Sequence, residues 1–463
     1  MKYLLFILFC STSIYGAKYQ YPYPDNPHQE IYKKRRLIVE SKLKDYQVLM
    51  VFSSDFYTRS DYQTFRQNSD LLYLTGLPDS KAILIINPDG FDIEGELHKE
   101  ILFMNIQNEN DKIWNGVKIT KRFSEDSLGI SKVLDIDTYE AFISNHLIKN
   151  NLEVIIAPFT KGKHFNPILN GLAKSEKSEE LEIEEIKLIS KINPYALLKV
   201  DNEIFKSTRD IKDSNEIKLI QKAIDISVQS HINSIKSIKP DMYEYQIEAV
   251  MEGSFLSLGA ENNGYSSVVG AGSNSCWLHY TSNRDVLKSD ELILMDCGAE
   301  YHGYTADITR TVPVDGVFSN EQKLIYEIVL KAQQKAIDSC RAGIDFFYCD
   351  KIAKDVIAEG LLELKIIKNK NQVKKYFPHG CSHYLGLDVH DVGRFDVLRA
   401  GNVITLEPGI YIPEGSDCDK KWWNIGIRIE DDILVEEKTC KVLSSALPKT
   451  IIEIEKLMKK DNK

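Results

Sequence analysis

Short apolar runs punctuate the first part of the chain at Val48–Phe52, Ala82–Ile86, Ile101–Met104, Val133–Ile136 and Val154–Pro158. Each is strand-sized and rich in β-branched residues, and polar stretches of helical length separate them. A first helix is expected from Gln29 to Lys44, with Ile31, Leu37, Ile38 and Leu43 on one side. Strands alternating with helices predict an amino-terminal α/β domain over residues 29–205. Residues 173–190, acidic and lysine-rich, read as a helical surface segment. A second domain, residues 210–463, opens at Asp213-Ser214-Asn215-Glu216, whose side chains can cap an amphipathic helix running from Ile217 to Ser237 and stopped by Pro240. Further helices are expected at Glu244–Leu258, Asn320–Arg341, Cys349–Leu364 and Pro448–Lys459, with short strands between them. The fold class is α/β followed by α+β.

Composition narrows this picture. At 463 residues and 43% hydrophobic, the chain can build two or three cores. A net charge of -10 and the lack of a large basic cluster exclude a general nucleic-acid binder. The run Lys33-Lys34-Arg35-Arg36 reads as the solvated face of a helix. Lys2, the apolar run Tyr3–Cys10 and the small residues Gly16-Ala17 form a signal peptide over residues 1–17, removed on export to the periplasm or beyond. That run is too short to span a bilayer, and no later run is long and apolar enough for a stable membrane span. A lipid-modified Cys10 is the alternative, disfavoured by the bulky Phe9 before it. Eight cysteines become seven without Cys10. An odd, sparse and scattered set is a group of buried apolar residues rather than a disulfide scaffold.

The chemistry centres on LILMDCGAEYHGYTADITRT, residues 292–311. An apolar run ends on Asp296, and Asp307 follows a Gly/Tyr-containing turn, as in two short strands tightly joined. Carboxylates at the ends of buried strands need a cation or donors; a hydrogen-bonded structural pair is the alternative. Four further segments add His279 in CWLHYTSN, then His379, His383 and His390 in HGCSHYLGLDVHD, Glu407 in VITLEPGIYI, and Glu430 in IGIRIEDDILV. Strand alternation places Arg428 and Glu430 on one face and Ile427 and Ile429 on the other. Four carboxylates with one imidazole suit two hard divalent ions better than structural zinc, and ions about 3.5–4 Å apart support hydrolysis. Each histidine, taken singly, could equally be structural. A nucleophilic Cys381 is a competing reading, weakened because no third group orients it towards His383. Cys297 points away from Asp296 into the core. Gly270-Ala271-Gly272 fails the phosphate-loop pattern, since Ser275 stands where the third glycine belongs, and reads as a turn delivering His279.

The order Asp296, Asp307, His383, Glu407, Glu430 resembles the dinuclear site of the creatinase-like pita-bread metallopeptidases. HGCSHYLGLDVHD resembles their proline-peptidase signature, departing at Cys381, where threonine or an aliphatic residue is usual. RQNSDLLYLTGL, residues 66–77, resembles the amino-terminal domain of the aminopeptidase P (Xaa-Pro aminopeptidase) members. The resemblance runs from Glu30 to the carboxyl terminus, weakly between about 90 and 200. It implies an α/β domain followed by a pita-bread domain holding two divalent ions, usually Mn2+. Asp296 would bind one ion, Asp307 and Glu430 would bridge both, and His383 and Glu407 would complete the set. His279 and His390 would contact substrate around the scissile bond, His379 would lie near the proline pocket with Tyr411 close by, and Arg428 would orient carboxylates. Glu407 would pass a proton to the leaving imino nitrogen. The implied substrates are peptides with proline second, whose tertiary amide offers no N–H for ordinary peptidases to grip. The implied assembly is a homodimer or homotetramer. Prolidase, restricted to Xaa-Pro dipeptides, and a catalytically silent peptide-binding relative remain as alternatives; metal-free creatinase does not fit an intact ligand set. The loop Ile412–Asn424 and the amino-terminal domain are candidates to border the pocket beyond proline.

Overall fold

The structure, a computed structural model, describes residues 29–54, 65–148, 152–157 and 187–459. The leader expected at residues 1–17 and residues 173–186 of the acidic segment lie outside the described residues. Residues 187–190 are helical, and Ile189 is buried in a core rather than on a surface. The chain divides into two compact units, Met1–Ile204 and Phe205–Lys463.

The first unit is built on a six-stranded sheet in the spatial order Val133–Asp135, Glu96–Met104, Ala82–Ile93, Gln47–Phe52, Glu153–Ile156, Leu197–Val200. Ala82–Ile93 pairs antiparallel with both of its neighbours, whereas Gln47–Phe52 runs parallel to Glu153–Ile156. Val48, Met50 and Phe52 pack in one cluster with Tyr139, Phe142 and Ile143, and the alternate residues Leu49 and Val51 are also fully buried. Burial on both faces is why this run is continuously apolar.

The helix Gln29–Lys42 corrects two expectations. Leu37 and Ile38 are 53% and 39% exposed, while Tyr32, Arg35, Arg36, Val39 and Leu43 are buried. Arg36 donates to the carbonyls of Leu74 (2.9 Å) and Gly129 (2.6 Å) and pairs with Glu100 at 2.6 Å. Those carbonyls lie at the carboxyl ends of the helices Ser69–Thr75 and Lys121–Leu128, where backbone acceptors lack helical partners. Only Lys33 and Lys34 of the basic run face solvent.

In the second unit Asp213 caps the helix Ser214–Ser237, and Glu216 returns the bond to the Asp213 N–H. This helix packs with Glu244–Ser257, and Asn320–Ser339 packs with Tyr348–Glu363. The central hairpin has four strand segments rather than the expected two. Leu292–Asp296 pairs with Thr309–Pro313, and beyond a break Ala299–Tyr301 pairs with Tyr304–Thr305. His302 and Gly303 make the turn with φ of 51° and 83°, the left-handed pair that suits a two-residue hairpin. At the break a Cβ on Gly298 would lie 1.9 Å from the Ala306 carbonyl oxygen, so only glycine allows the close approach that places Asp307 near Asp296. Two more antiparallel pairs, one nested within the other along the chain, carry the glutamates at their ends: Val403–Leu406 with Asp431–Val435, and Gly409–Ile412 with Ile425–Arg428. The buried amide of Gln333, on helix Asn320–Ser339, donates to the carbonyls of Leu406 and Ile429, both at 3.1 Å. It thereby ties together the residues immediately before Glu407 and Glu430.

Candidate metal centre

Asp296 ends its strand directly opposite Thr309, and Asp307 occupies the break two residues earlier on the partner strand. Thr309 Oγ1 donates to Glu430 Oε2 at 2.6 Å. Arg310 reaches behind the same acid, donating to the Glu430 carbonyl at 2.6 Å and to Asp431 at 2.7 Å. These bonds draw Glu430 onto the aspartate hairpin.

Ligand atoms of Asp307, His383 and Glu430 all lie within 4.8 Å of one another. His383 Nε2 stands 3.3 Å from Asp307 Oδ2 and 3.6 Å from Glu407 Oε1. His383 Nδ1 lies 3.0 Å from the Tyr384 carbonyl, which can only accept, so Nδ1 carries the proton. Nε2 is thereby turned towards the acids, the arrangement of a metal-ligating histidine. Asp307 Oδ1 is buried without a hydrogen-bond partner.

Asp296 is held differently. Tyr265 donates to Oδ1 at 2.6 Å, and Arg428 Nη2 to Oδ2 at 2.5 Å. Burial works against its ionisation, but Arg428 and the Tyr265 bond hold its carboxyl below the usual range. Arg428 Nη1 also donates to the Tyr411 hydroxyl at 2.9 Å, and His379 Nε2 lies 2.8 Å from that hydroxyl. A polar chain therefore runs from Tyr265 through Asp296, Arg428 and Tyr411 to His379.

The acids crowd one another. Burial and the Asp296 charge raise Asp307, and burial with the charges of Asp307, Glu407 and Asp296 pushes Glu430 well above the carboxylate range. Burial lifts Glu407 to about 7 against the pull of His383 and Arg428. Burial alone would lower His383, but the hydrogen bond to Asp307 and the Glu407 charge push it to about 9. Four carboxylates facing one buried guanidinium is an excess of negative charge that cations would neutralise. An oxygen-rich set with one imidazole fits hard divalent ions.

The remaining histidines surround this cluster. The His390 ring is 4.3 Å from that of His383, nearly perpendicular to it. His379 Nδ1 lies 3.7 Å from Glu407 Oε2, and burial with the Arg428 charge lowers His379 to about 3. His279 is exposed on its loop, close enough to His379 to contribute to that lowering. Cys381 is fully buried and its thiol is pushed well above its usual range, which removes the nucleophile reading. All seven described cysteines are free, and Cys276, Cys297, Cys340, Cys349 and Cys381 are buried. Among the described residues no helix is long and apolar enough to cross a membrane. Tyr265, Thr309, Arg310 and Gln333 were invisible as site residues in the sequence. Each acts through a partner distant along the chain, and no local spacing marks it.

Comparison with known proteins agrees with this geometry. The profile described as metallopeptidase family M24 matches residues 218–437, and that of the aminopeptidase P N-terminal domain matches residues 32–155. The chain is 32% identical over 444 residues to the Xaa-Pro aminopeptidase of Haemophilus influenzae, covering 93% of this chain and 97% of that one. Against the Escherichia coli Xaa-Pro aminopeptidase the identity is 30%, with the same coverage. The structure of Pseudomonas aeruginosa aminopeptidase PepP superposes with a TM-score of 0.83 at 30% identity, covering 94% of this chain and 98% of the other. Escherichia coli aminopeptidase P with the inhibitor Pro-Leu gives a TM-score of 0.80 at 29% identity, over the same shares.

Proposed function

The chain belongs to metallopeptidase family M24, and from that premise we propose an exported, dinuclear enzyme that removes the first residue of peptides with proline second. Its membership makes it a metallo-aminopeptidase of the Xaa-Pro class, with an α/β domain ahead of a pita-bread catalytic domain and a requirement for divalent metal. The proposal adds two ions per chain, manganese as the metal, and a role for each residue. The observation that carries it is the packing of Asp307, His383 and Glu430 ligand atoms within 4.8 Å, beside a buried Asp307 oxygen without a partner.

Asp307 and Glu430 would bridge the ions, Asp296 would hold one of them, and His383 Nε2 and Glu407 would complete the set. When bound, the ions supply Lewis acidity to the scissile carbonyl and activate water at neutral pH. Everything else falls to side chains. Arg428 and Tyr265 keep Asp296 ionised and oriented. Glu407 would protonate the leaving imino nitrogen. His390 and His279 would contact the peptide around the scissile bond, and His379, fixed by Tyr411, would border the proline ring. The loop Ile412–Asn424 would edge the pocket beyond proline through Trp423, whose Nε1 is held on the Ser416 carbonyl at 3.1 Å; Trp422 is buried and packs away from that role.

Export rests on the leader-like residues 1–17, and a homodimer or homotetramer on family resemblance alone. Elemental analysis of purified protein tests the metal count: two divalent ions per chain support the dinuclear site, and one ion at saturation refutes it. Amino-terminal sequencing of protein from the native cell tests export. A chain starting near residue 18 supports it, and one starting at Met1 refutes it.

A further inference from the structure

We infer that Glu244 is a positioning residue for the reaction, holding the loop that presents His279; this rests on the reading of His279 as a substrate-contacting residue. Glu244 begins the helix Glu244–Ser257 and is fully buried. Its carboxylate collects four donors. Oε1 accepts from the Ala271 N–H at 2.7 Å and from Asn274 Nδ2 at 3.0 Å. Oε2 accepts from the Tyr280 hydroxyl at 2.8 Å and from the Asp285 N–H at 2.9 Å. All four lie between residues 271 and 285, two on each side of His279, and Tyr280 is its immediate neighbour.

The tip of the loop is exposed: Trp277 is 62% exposed, and His279 also faces solvent. Leu278 and Tyr280, on either side of His279, pack against Val268, Cys276, Leu294 and Tyr411, and the rest of the loop is held at its base. There Ser275 Oγ donates to the Gly272 carbonyl and accepts from the Gly426 N–H, and Asn283 bonds to Val269 and Ser267. Asn283 thereby ties the far limb to residues 267–269, and Asn274 Nδ2 also donates to Asp285 Oδ2 at 2.8 Å. Of these ties, Glu244 is the one that takes two donors from the limb before His279 and two from the limb after it. A carboxylate has room for about four donors, and all four places are filled. Glutamine has nearly the same shape but turns an amide NH2 towards one pair of donors, so Glu244→Gln would lose its bonds to one limb whichever way it is turned.

The test is a double-mutant cycle on the manganese-loaded enzyme with an Xaa-Pro-Yaa peptide. Glu244→Gln should lower kcat/KM by about ten- to a hundredfold, the scale of a misplaced reacting group, with metal content at the wild-type level. Tyr280→Phe removes one of the four Glu244 bonds, together with the longer bond from the Arg284 N–H at 3.3 Å, and should give a smaller loss in the same direction. On a His279→Ala background neither change should cost more than about twofold, because residues acting through one group are not additive. Should Glu244→Gln fail to fold, Tyr280→Phe is read in the same cycle. Wild-type kcat/KM in the single variants, loss of metal, or the full loss repeated in the absence of His279 would each overturn the inference while leaving the role of His279 intact. Wild-type activity in His279→Ala would overturn both.

Discussion

His383 Nε2 lies 3.3 Å from Asp307 Oδ2, while its other ring nitrogen is committed to the Tyr384 carbonyl at 3.0 Å. The ring is thus fixed in tautomer and direction, with its free lone pair among the acids. The His390 ring stands nearly perpendicular to this one, at 4.3 Å between centroids. His383→Ala should therefore lose bound metal together with activity. His390→Ala should keep its metal and lose most turnover. Equal metal contents in the two variants, read by elemental analysis, would contradict this division.

Asp307 and Glu430 share the compact ligand cluster with His383. Asp307→Ala or Glu430→Ala should abolish activity and release at least one ion per chain, because each is assigned to both ions. Full metal occupancy in either variant would reject the bridging assignment.

Gln333 spans the backbones that carry Glu407 and Glu430. Gln333→Leu would take a donor from each of two buried carbonyls, at about 1–3 kcal/mol apiece. Urea unfolding should show a loss of about 2–4 kcal/mol, and metal retention should fall because the two glutamates lose their common tie. A stability change below about 0.5 kcal/mol would show that the carbonyls find other donors.

His231 is fully buried, bonded through Nε2 to the Cys297 carbonyl at 3.0 Å, and burial lowers it to about 4. In the unfolded chain a histidine titrates near about 6.5. Between those values the unfolded state binds more protons, so stability rises with pH and is lost as pH falls from about 6.5 to about 4, by an amount on the order of 3 kcal/mol. His231→Gln, which can keep the bond to Cys297 and does not titrate, should lose less stability between pH 7 and 4.5 than the parent. Parallel pH profiles in chemical denaturation would contradict this.

What the sequence revealed depended on how local each cause was. The Asp213–Glu216 capping box lies within one turn of chain, and its residues mark the helix start directly. The four acids among the proposed ligands stand at or beside strand ends, next to apolar runs, where an acid has no ordinary reason to be. The helix Gln29–Lys42 misled because its inward face is set by carbonyls at the ends of two later helices. Arg36 is buried to serve them, and Leu37 and Ile38 are turned out as a result. Gln333 and Glu244 read as ordinary polar residues of amphipathic helices. Their partners lie on loops and strands far along the chain, and only the folded backbone brings them together.

The most direct measurement is product analysis with the manganese-loaded enzyme on a tripeptide Xaa-Pro-Yaa, a longer Xaa-Pro peptide and the dipeptide Xaa-Pro, each repeated after metal removal. The expected result is release of the free first residue with Pro-Yaa, and with the shortened longer peptide, lost on chelation and restored by manganese. Rapid cleavage of the dipeptide with neither longer peptide touched would make the enzyme a prolidase, and cleavage undiminished without metal would contradict the metal centre itself.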